Sequence, residues 1–272
     1  MRWSPIFVAS VFSSLSWSVL AHPAPYTNVT VRSLHKRSIV CGIDLRTATA
    51  DDCLDRHSVV NFKVVTTASR QTLTQEAVPQ NAQEPPAGSS CDHVVELQVV
   101  AAAMQQSTLC GIVAALNSLQ ESEGVDVKRN SVLQPLADIA NSVTNLFFLD
   151  SHVNGAKANY VQLAISNQVI KSSENQFFAA VQSYLRTDTV ASESRKVAAQ
   201  LDSAILAILK KATTLADGFP PPPPAGTRAQ GVQILQKNLR TALTAHAAQK
   251  AEEKITVVNL WNRALIGTVV NE

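Results

Sequence analysis

The chain of 272 residues has little of what builds a zinc site or a serine-hydrolase site. It contains four cysteines and six histidines, with no C-x-x-C pair and no Cys/His cluster at zinc-finger spacing. A G-x-S-x-G nucleophile elbow is also absent, so a Ser-His-Asp hydrolase has little support. The first 37 residues have no acidic side chain at all, since all 21 Asp and Glu residues follow them.

This N-terminal segment is typical of an export signal. Arg2 precedes an apolar stretch over residues 6–20, and residues 19–21 are small or of modest size, as signal peptidase requires. The apolar stretch is too short and too rich in serine to span a bilayer. We therefore predict a signal peptide over residues 1–21 and a secreted, extracellular protein with no membrane segment after processing.

A dibasic pair, Lys36-Arg37, follows the predicted signal peptide. Such pairs are cleaved by processing proteases of the eukaryotic secretory route, so we predict a propeptide over residues 22–37 and a mature chain that begins at Ser38. The alternative is a simple exposed charged pair. Without these 37 residues, the chain has 19 Lys and Arg and 21 Asp and Glu, so the formal net charge changes from +2 to −2. The mature chain is not globally basic.

All four cysteines remain after processing. An even number of cysteines in an exported protein predicts two disulfides. Three pairings are possible, and short loops favour the pairing of nearest neighbours. The preferred pairing is Cys41 with Cys53 and Cys91 with Cys110.

Composition predicts an α+β fold that is mainly helical. An apolar share of 46% is enough for one good core, with room for a loosely attached extension. We predict a main domain over residues 38–217, a polyproline hinge over 218–226 and a C-terminal helical extension over 227–272. Within the main domain, residues 38–75 are expected to form short strands or irregular structure, and residues 76–90 a loop.

Apolar residues at spacings of three and four predict helices in most of the remaining chain. One short segment before the third predicted helix is expected to be extended, and the last segment could be strand or helix. The predicted helices cover residues 94–119, 133–143, 160–185, 193–215 and 232–249, the extended segment covers 145–150, and the last segment covers 255–270.

Two features mark the C-terminal part of the chain. Five consecutive prolines, at 220–224, lack the donor that a helix needs, so this run acts as a stiff spacer or, alternatively, as a ligand for a proline-binding domain. Residues 195–254 contain nine Lys and Arg against four Asp and Glu. Such helices are either a solvated face or a surface for a polyanion.

Candidate chemistry lies in two polar constellations, Asp92-His93 and the run from 145 to 157. Neighbouring side chains on an extended segment point to opposite faces, so Asp92 could hold a cation while His93 stays a free imidazole base. Hydrolysis of a phosphodiester needs both functions, since the cation stabilises charge and the imidazole takes a proton from water.

The second constellation offers groups that complement the first. Asn154 supplies a second oxygen ligand for a cation, and the amide of Asn145 can orient a histidine ring. Lys157, about one turn beyond Asn154 on a helix, can contact a phosphate. Together the two constellations supply the groups that metal-dependent hydrolysis of a phosphodiester needs.

The order and spacing of these residues resemble the HNH nucleases of the His-Me finger group. That family has Asp-His near the end of a strand, then Asn-Leu-x-x-Leu, then His or Asn nine residues after the first Asn and Lys three further on. The matching positions here are Asp92, His93, Asn145, Leu146, Leu149, Asn154 and Lys157.

The resemblance implies a β-hairpin followed by a helix that together hold one divalent ion, Mg²⁺ or Mn²⁺. This small ββα-metal-like finger would be embedded in a helical body and braced by a disulfide. The substrate would be DNA or RNA, bound without sequence specificity through the backbone. The implied roles are His93 as general base, Asn145 as the residue that positions it, Asp92 and Asn154 as metal ligands, His152 as a metal or phosphate contact, and Lys157 as a phosphate contact.

The resemblance covers residues 91–160, about a quarter of the chain, and departs from the family in two ways. The 51 residues between His93 and Asn145 are a long insertion. Asp150 and Val153 stand where the finger often has zinc-binding cysteines.

The same residues have a plainer interpretation. Asp92 could be the N-cap of a helix that starts near Val94, with Glu96 completing a capping box. On that view the chain is a secreted, non-catalytic effector or binding protein whose motif is accidental or inactive.

Overall fold

The computed structural model describes residues 38–47, 51–55, 60–67, 70–122, 132–222, 224, 231–250 and 255–271. The predicted signal peptide, propeptide and dibasic pair lie outside these residues. The described chain has an α+β fold with more helix than strand. Its helices are α1 (Leu97–Gln106), α2 (Leu109–Ser122), α3 (Gln134–Ala140), α4 (Ser151–Ile165), α5 (Phe178–Leu185), α6 (Asp188–Asp217), α7 (Val232–Ala248) and α8 (Val257–Ile266).

The described strands form one four-stranded sheet and two small two-stranded ones. The large sheet has the order β4-β3-β6-β5, in which only β3 and β6 are parallel. The short β1 pairs with β2, and β7 pairs with β8. The strands are β1 (Ile39–Val40), β2 (Ile43–Asp44), β3 (Val60–Thr67), β4 (Arg70–Ala77), β5 (Ser89–His93), β6 (Leu146–Asp150), β7 (Ile170–Lys171) and β8 (Val269–Val270).

Strand β6 explains how the sheet divides the core. Its sequence is almost entirely apolar, as expected for a central strand that is buried on both faces. Because successive side chains point to opposite faces, Phe147 and Leu149 join the main core, while Leu146 and Phe148 pack in a smaller cluster with Cys53. The main core lies between the sheet and the helices.

The predicted helix over residues 94–119 is interrupted. Strand β5 continues to His93 and α1 begins only at Leu97; α1 and α2 then meet at a bend of 91°. Thr108 lies at this bend with a φ of 56°, a left-handed conformation that no continuous helix contains. Among the described helices none is long and apolar enough to cross a membrane alone, although α1 and α2 pass that test of length and composition as a bent pair.

The predicted helix over residues 160–185 is also two helices. Helix α4 begins earlier, at Ser151, and ends at Ile165, and Asn167 has a φ of 54°. The chain then forms β7 before α5 begins. The ambiguous last segment contains both structures, since α8 is followed by β8.

The C-terminal segment shares the core of the rest of the chain. Helix α7 packs against α2 and α6 and buries Leu239 completely. Helix α8 packs against α6 and α4, where Trp261 is fully buried. The predicted spacer is described at prolines 220–222 and 224, which lie outside any helix or strand.

The two disulfides connect Cys41 to Cys110 and Cys53 to Cys91, so the predicted pairing of nearest neighbours is wrong. Packing of β1 against α1 brings Cys41 to the start of α2, and the Cα atoms of this pair are 5.0 Å apart. Cys53 lies in a short 3-10 turn beside β5, where its Cα is 5.7 Å from that of Cys91. Two disulfides are compatible with an extracellular protein.

Candidate functional site

The two polar constellations lie on neighbouring elements despite the insertion between them. Strand β5 pairs antiparallel with β6, with Asp92 opposite Phe147 and His93 opposite Leu146. Helix α4 follows β6 directly, because Oδ1 of Asp150 accepts from the amides at the start of that helix, at 2.9 Å and 3.4 Å. The chain therefore runs strand, insertion, strand and helix, with the insertion leaving and returning at adjacent points.

Asn145 ties the two ends of this insertion together. Its Oδ1 accepts from the amide of Val95 at 2.8 Å, and its Nδ2 donates to the carbonyls of Ala140 at 2.7 Å and Val95 at 3.2 Å. The side chain is completely buried. Asn145 thus fixes the backbone two residues after His93, and among the described residues the imidazole ring bonds to Asn141 instead.

Lys157 extends from α4 into a buried cluster of oxygen atoms. Its Nζ lies 2.8 Å from Oδ1 of Asp92 and 3.1 Å from Oε1 of Glu96. The same Nζ donates to the carbonyls of His93 at 2.7 Å and Val94 at 3.1 Å. Because the three charged side chains are 0%, 2% and 7% exposed, the ammonium is held by protein oxygens rather than by solvent. We call Asp92, Glu96 and Lys157 the lysine cluster.

The electrostatics of the lysine cluster are those of two carboxyls that share one cation. Burial raises the pKa of the Asp92 carboxyl, and the Lys157 ammonium opposes this rise without cancelling it. The hydroxyl of Tyr184, from α5, donates to Oδ2 of Asp92 at 2.9 Å. Both oxygens of Asp92 are therefore engaged by protein groups.

His93 faces a different part of the molecule from Asp92. Its ring is 2% exposed, and its Nε2 lies 3.0 Å from Oδ1 of Asn141, just after α3. The Nδ2 of Asn141 donates to the carbonyls of Leu45 and Ala137, so its Oδ1 must accept, and Nε2 of His93 carries the proton. Nδ1 then keeps a lone pair, which has no hydrogen-bond partner among the described residues.

Burial also sets the protonation state of His93. It lowers the pKa of the imidazole from 6.5 to about 4, so the ring is neutral at pH 7. A neutral imidazole is the form that a general base requires.

The other predicted metal ligands, Asn154 and His152, lie near the start of α4. Nδ2 of Asn154 donates to Oγ of Ser90 at 2.8 Å, and Ser90 lies two residues before Asp92 on the same face of β5. His152 is exposed at the first turn of α4, where its ring stacks on that of Phe177 with centroids 5.6 Å apart. The structure therefore brings Asp92 and Lys157 into contact, holds Asn145 against the backbone of Val95, and leaves His152 at the surface.

These residues do not fit a divalent ion in this arrangement. Within the described ranges, no group of three or more His, Cys, Asp or Glu side chains is placed to hold a metal. The Asp92 carboxyl, the first predicted ligand, already binds the Lys157 ammonium and the Tyr184 hydroxyl. The cation in this site is the Lys157 ammonium, which belongs to the protein itself.

Two members of the site were missed by sequence reasoning. Tyr184 carries no local signal, because it comes from a helix 92 residues away from Asp92. The sequence does carry a signal for Glu96, because this charged residue interrupts an apolar run and a buried charge needs a partner. The capping alternative for Asp92 is wrong, because Asp92 lies inside β5, and Glu96 is the N-cap of α1 without a side-chain capping bond.

Comparison with known proteins does not add a relative to this picture. No protein-family model, no curated protein and no solved structure matches the chain. The resemblance to the HNH family therefore depends on the seven matched positions, and the function has to be argued from the geometry of the site.

Proposed function

We propose that this chain is a secreted, non-catalytic binding protein in which an HNH-like strand–strand–helix frame serves as a scaffold. The observation that supports the proposal is the environment of the Lys157 ammonium, which has four oxygen neighbours within 3.1 Å. A tethered ammonium in this position neutralises the carboxyls that a metal ion would otherwise bind. The cluster then contributes to the fold instead of to a reaction.

The accessibility of the site supports the same proposal. A general base and a metal ion must both reach one phosphate of the substrate. Asp92 and His93 are 1% and 2% exposed, and their side chains contact different helical segments. A nucleic-acid backbone, which is a bulky polyanion, has no route to either side chain in this arrangement.

A metal-dependent endonuclease is the second candidate. The neutral imidazole of His93, whose Nδ1 lone pair has no partner in the described part of the chain, favours it, as does the fixed backbone at Asn145. In this proposal His93 is the general base, Mg²⁺ or Mn²⁺ is the cofactor, and DNA or RNA is the substrate.

A cleavage assay separates the two proposals. Purified mature protein, with its disulfides intact, is incubated with plasmid DNA and with RNA in Mg²⁺ or Mn²⁺, with and without chelator. We expect wild type and His93→Ala to be equally inert with every metal. Metal-dependent cleavage that His93→Ala abolishes, while its circular dichroism spectrum is unchanged, would replace the scaffold proposal with the nuclease proposal.

The stability of a Lys157→Met variant tests the scaffold role directly. Removing the ammonium leaves two buried carboxyls without their cation, so we expect the free energy of unfolding to fall by about 3–5 kcal/mol. The triple variant Asp92→Asn, Glu96→Gln, Lys157→Met removes the unpaired charges and should recover part of that loss. Lys210→Met, on the exposed side of α6, is the matched control and should change stability by less than about 0.5 kcal/mol in urea unfolding.

If Lys157→Met is as stable as wild type, the lysine cluster does not stabilise the fold and the proposal loses its support.

A further inference from the structure

Strand β4 is an edge strand that lacks the usual protection against pairing. In the described part of the chain it pairs with β3 alone. Every second residue of such a strand turns its N–H and C=O away from the sheet. Natural edges are commonly blocked by proline, by a bulge or by charges along their length. The register with β3 is continuous from Val60↔Ala77 to Thr67↔Arg70, and residues 71–75 have neither proline nor charge.

The central five residues of β4 read the same in both directions. Residues 71–75 are Gln-Thr-Leu-Thr-Gln, and they lie between an arginine at position 70 and a glutamate at position 76. An antiparallel pair that is centred on residue 73 therefore places Gln opposite Gln, Thr opposite Thr and Leu73 opposite itself. In the same pair of strands, position 70 of each copy lies opposite position 76 of the other copy. Residues of opposite charge therefore meet at both ends of the pair. A two-fold axis through Leu73 pairs these positions whatever their side chains, and Thr–Thr and opposite-charge pairs are among the cross-strand pairs that stabilise a sheet.

The strand is also held in a conformation that suits this pairing. Leu73 packs against the main core, and Thr72, Thr74 and Glu76 are exposed on the other face. The hydroxyls of Thr72 and Thr74 donate to carbonyls of β3, at 3.3 Å and 3.4 Å. Among the described side chains Glu76 pairs with Lys63 at 3.9 Å, and both side chains are more than half exposed. Such a pair is weak, so Glu76 can engage another cation.

We propose that β4 pairs with β4 of a second copy of this chain, which forms a two-fold symmetric dimer through a continuous sheet. The eight strands of the joined sheets would leave β5 of each copy at the outer edges. One pair of strands buries less surface than a standard interface, so we expect a dissociation constant from about 1 µM to about 1 mM. The proposal does not depend on the function of the lysine cluster.

Charge exchange at the two ends of the strand tests the proposed register. Glu76→Lys and Arg70→Glu each place like charges opposite each other at both ends of the dimer, so each should raise the dissociation constant about tenfold. The double variant restores two opposite-charge pairs and should return to within about threefold of wild type. Lys63→Gln removes the intrachain pair of Glu76 and is the control, with an unchanged dissociation constant expected. Sedimentation equilibrium of the mature, disulfide-bonded protein gives these values.

Hydrogen exchange provides a second measurement. The backbone amides of residues 71–75 should become more protected as protein concentration rises, while those of β5 should not. A wild-type protein that stays monomeric up to about 1 mM would overturn the proposal, and so would single variants that the double variant does not rescue. A persistent monomer would exclude a second copy as the partner of β4, and a failed rescue would show that the dimer does not use this register.

Discussion

Asp92 and His93 are adjacent in the chain, but their side chains belong to two separate polar networks. Asp92 faces α4 and α5 through Lys157 and Tyr184, and His93 faces the end of α3 through Asn141. The alternation of side chains along a strand produces this separation. Burial is the largest influence on the pKa of both residues, and the charges of Glu96 and Lys157 act on both, whereas their side-chain hydrogen bonds come from different neighbours.

The low pKa of His93 predicts that stability depends on pH. Its pKa is 6.5 in an ordinary environment and about 4 in the fold, so folding favours the neutral ring. The stabilisation is fully present above pH 6.5 and is lost as the pH falls through 4. At about 1.4 kcal/mol per pH unit, the loss across this window is about 3 kcal/mol. Urea unfolding of wild type and His93→Gln between pH 7 and pH 4 measures it.

The difference in free energy of unfolding between wild type and His93→Gln isolates the contribution of the histidine, because Asp92 is present in both proteins. We expect the variant to lose less stability than wild type as the pH falls. His152→Gln is the matched control, since that ring is exposed, and it should follow the wild-type curve. Parallel curves for wild type and His93→Gln would contradict the prediction.

Helix α8 is attached to α6 by a capping interaction between the two helices. Oδ1 and Oδ2 of Asp202, on α6, accept from the amides of Val257 and Val258 at 2.8 Å and 3.0 Å. Oγ1 of Thr256 accepts from the amide of Asn259 at 3.1 Å. Amides at the start of a helix have no partner within it, so these oxygens satisfy three of them. The position of α8 therefore depends on a residue 55 positions earlier in the chain.

Removal of this cap should loosen α8 more than the rest of the protein. Asp202→Ala leaves two amides without acceptors, so we expect a loss of about 1–2 kcal/mol and faster hydrogen exchange over residues 257–266. Asp217→Ala, at the exposed end of α6, is the control and should change stability by less than about 0.5 kcal/mol. Unchanged exchange in α8 would show that packing alone positions the helix.

The elements that sequence patterns identified well are the long amphipathic ones. The predicted segments 193–215 and 232–249 lie within α6 and α7 to within a few residues, because many apolar side chains at helical spacing determine them. The breaks after α1 and α4 were missed. They depend on two single residues in the left-handed conformation, Thr108 and Asn167. Threonine gives no signal for that conformation, and asparagine has only a preference for it, which does not by itself mark a helix break.

At the scale of the whole molecule, the disulfides attach the N-terminal segment to the body. Cys41–Cys110 joins the region of β1 to α2 across 69 positions, and Cys53–Cys91 joins the turn at 51–53 to β5 across 38. Both connect parts of the chain that the fold has already brought together. The N-terminal strands are therefore held on the sheet and helices by covalent bonds as well as by packing.

This pairing predicts a defined peptide map and a large contribution to stability. Proteolysis without reduction should release Cys41 linked to Cys110 and Cys53 linked to Cys91, identified by mass spectrometry. Closing loops of these lengths restricts the unfolded chain, so replacing either pair with serines should cost about 2–5 kcal/mol in thermal or urea unfolding. Peptides that link Cys41 to Cys53 would contradict both the connectivity and the packing of β1 against α1.

The sequence by itself determined the α+β class, the presence of two disulfides and the long amphipathic helices. Each of these follows from local composition, from periodicity or from the number of cysteines. Only the tertiary structure decided the partner of each cysteine and the partners of Asp92, His93 and Lys157. These partners lie tens of residues apart, and whether an ammonium or a metal ion meets a carboxylate depends on which elements pack together, which local pattern does not encode.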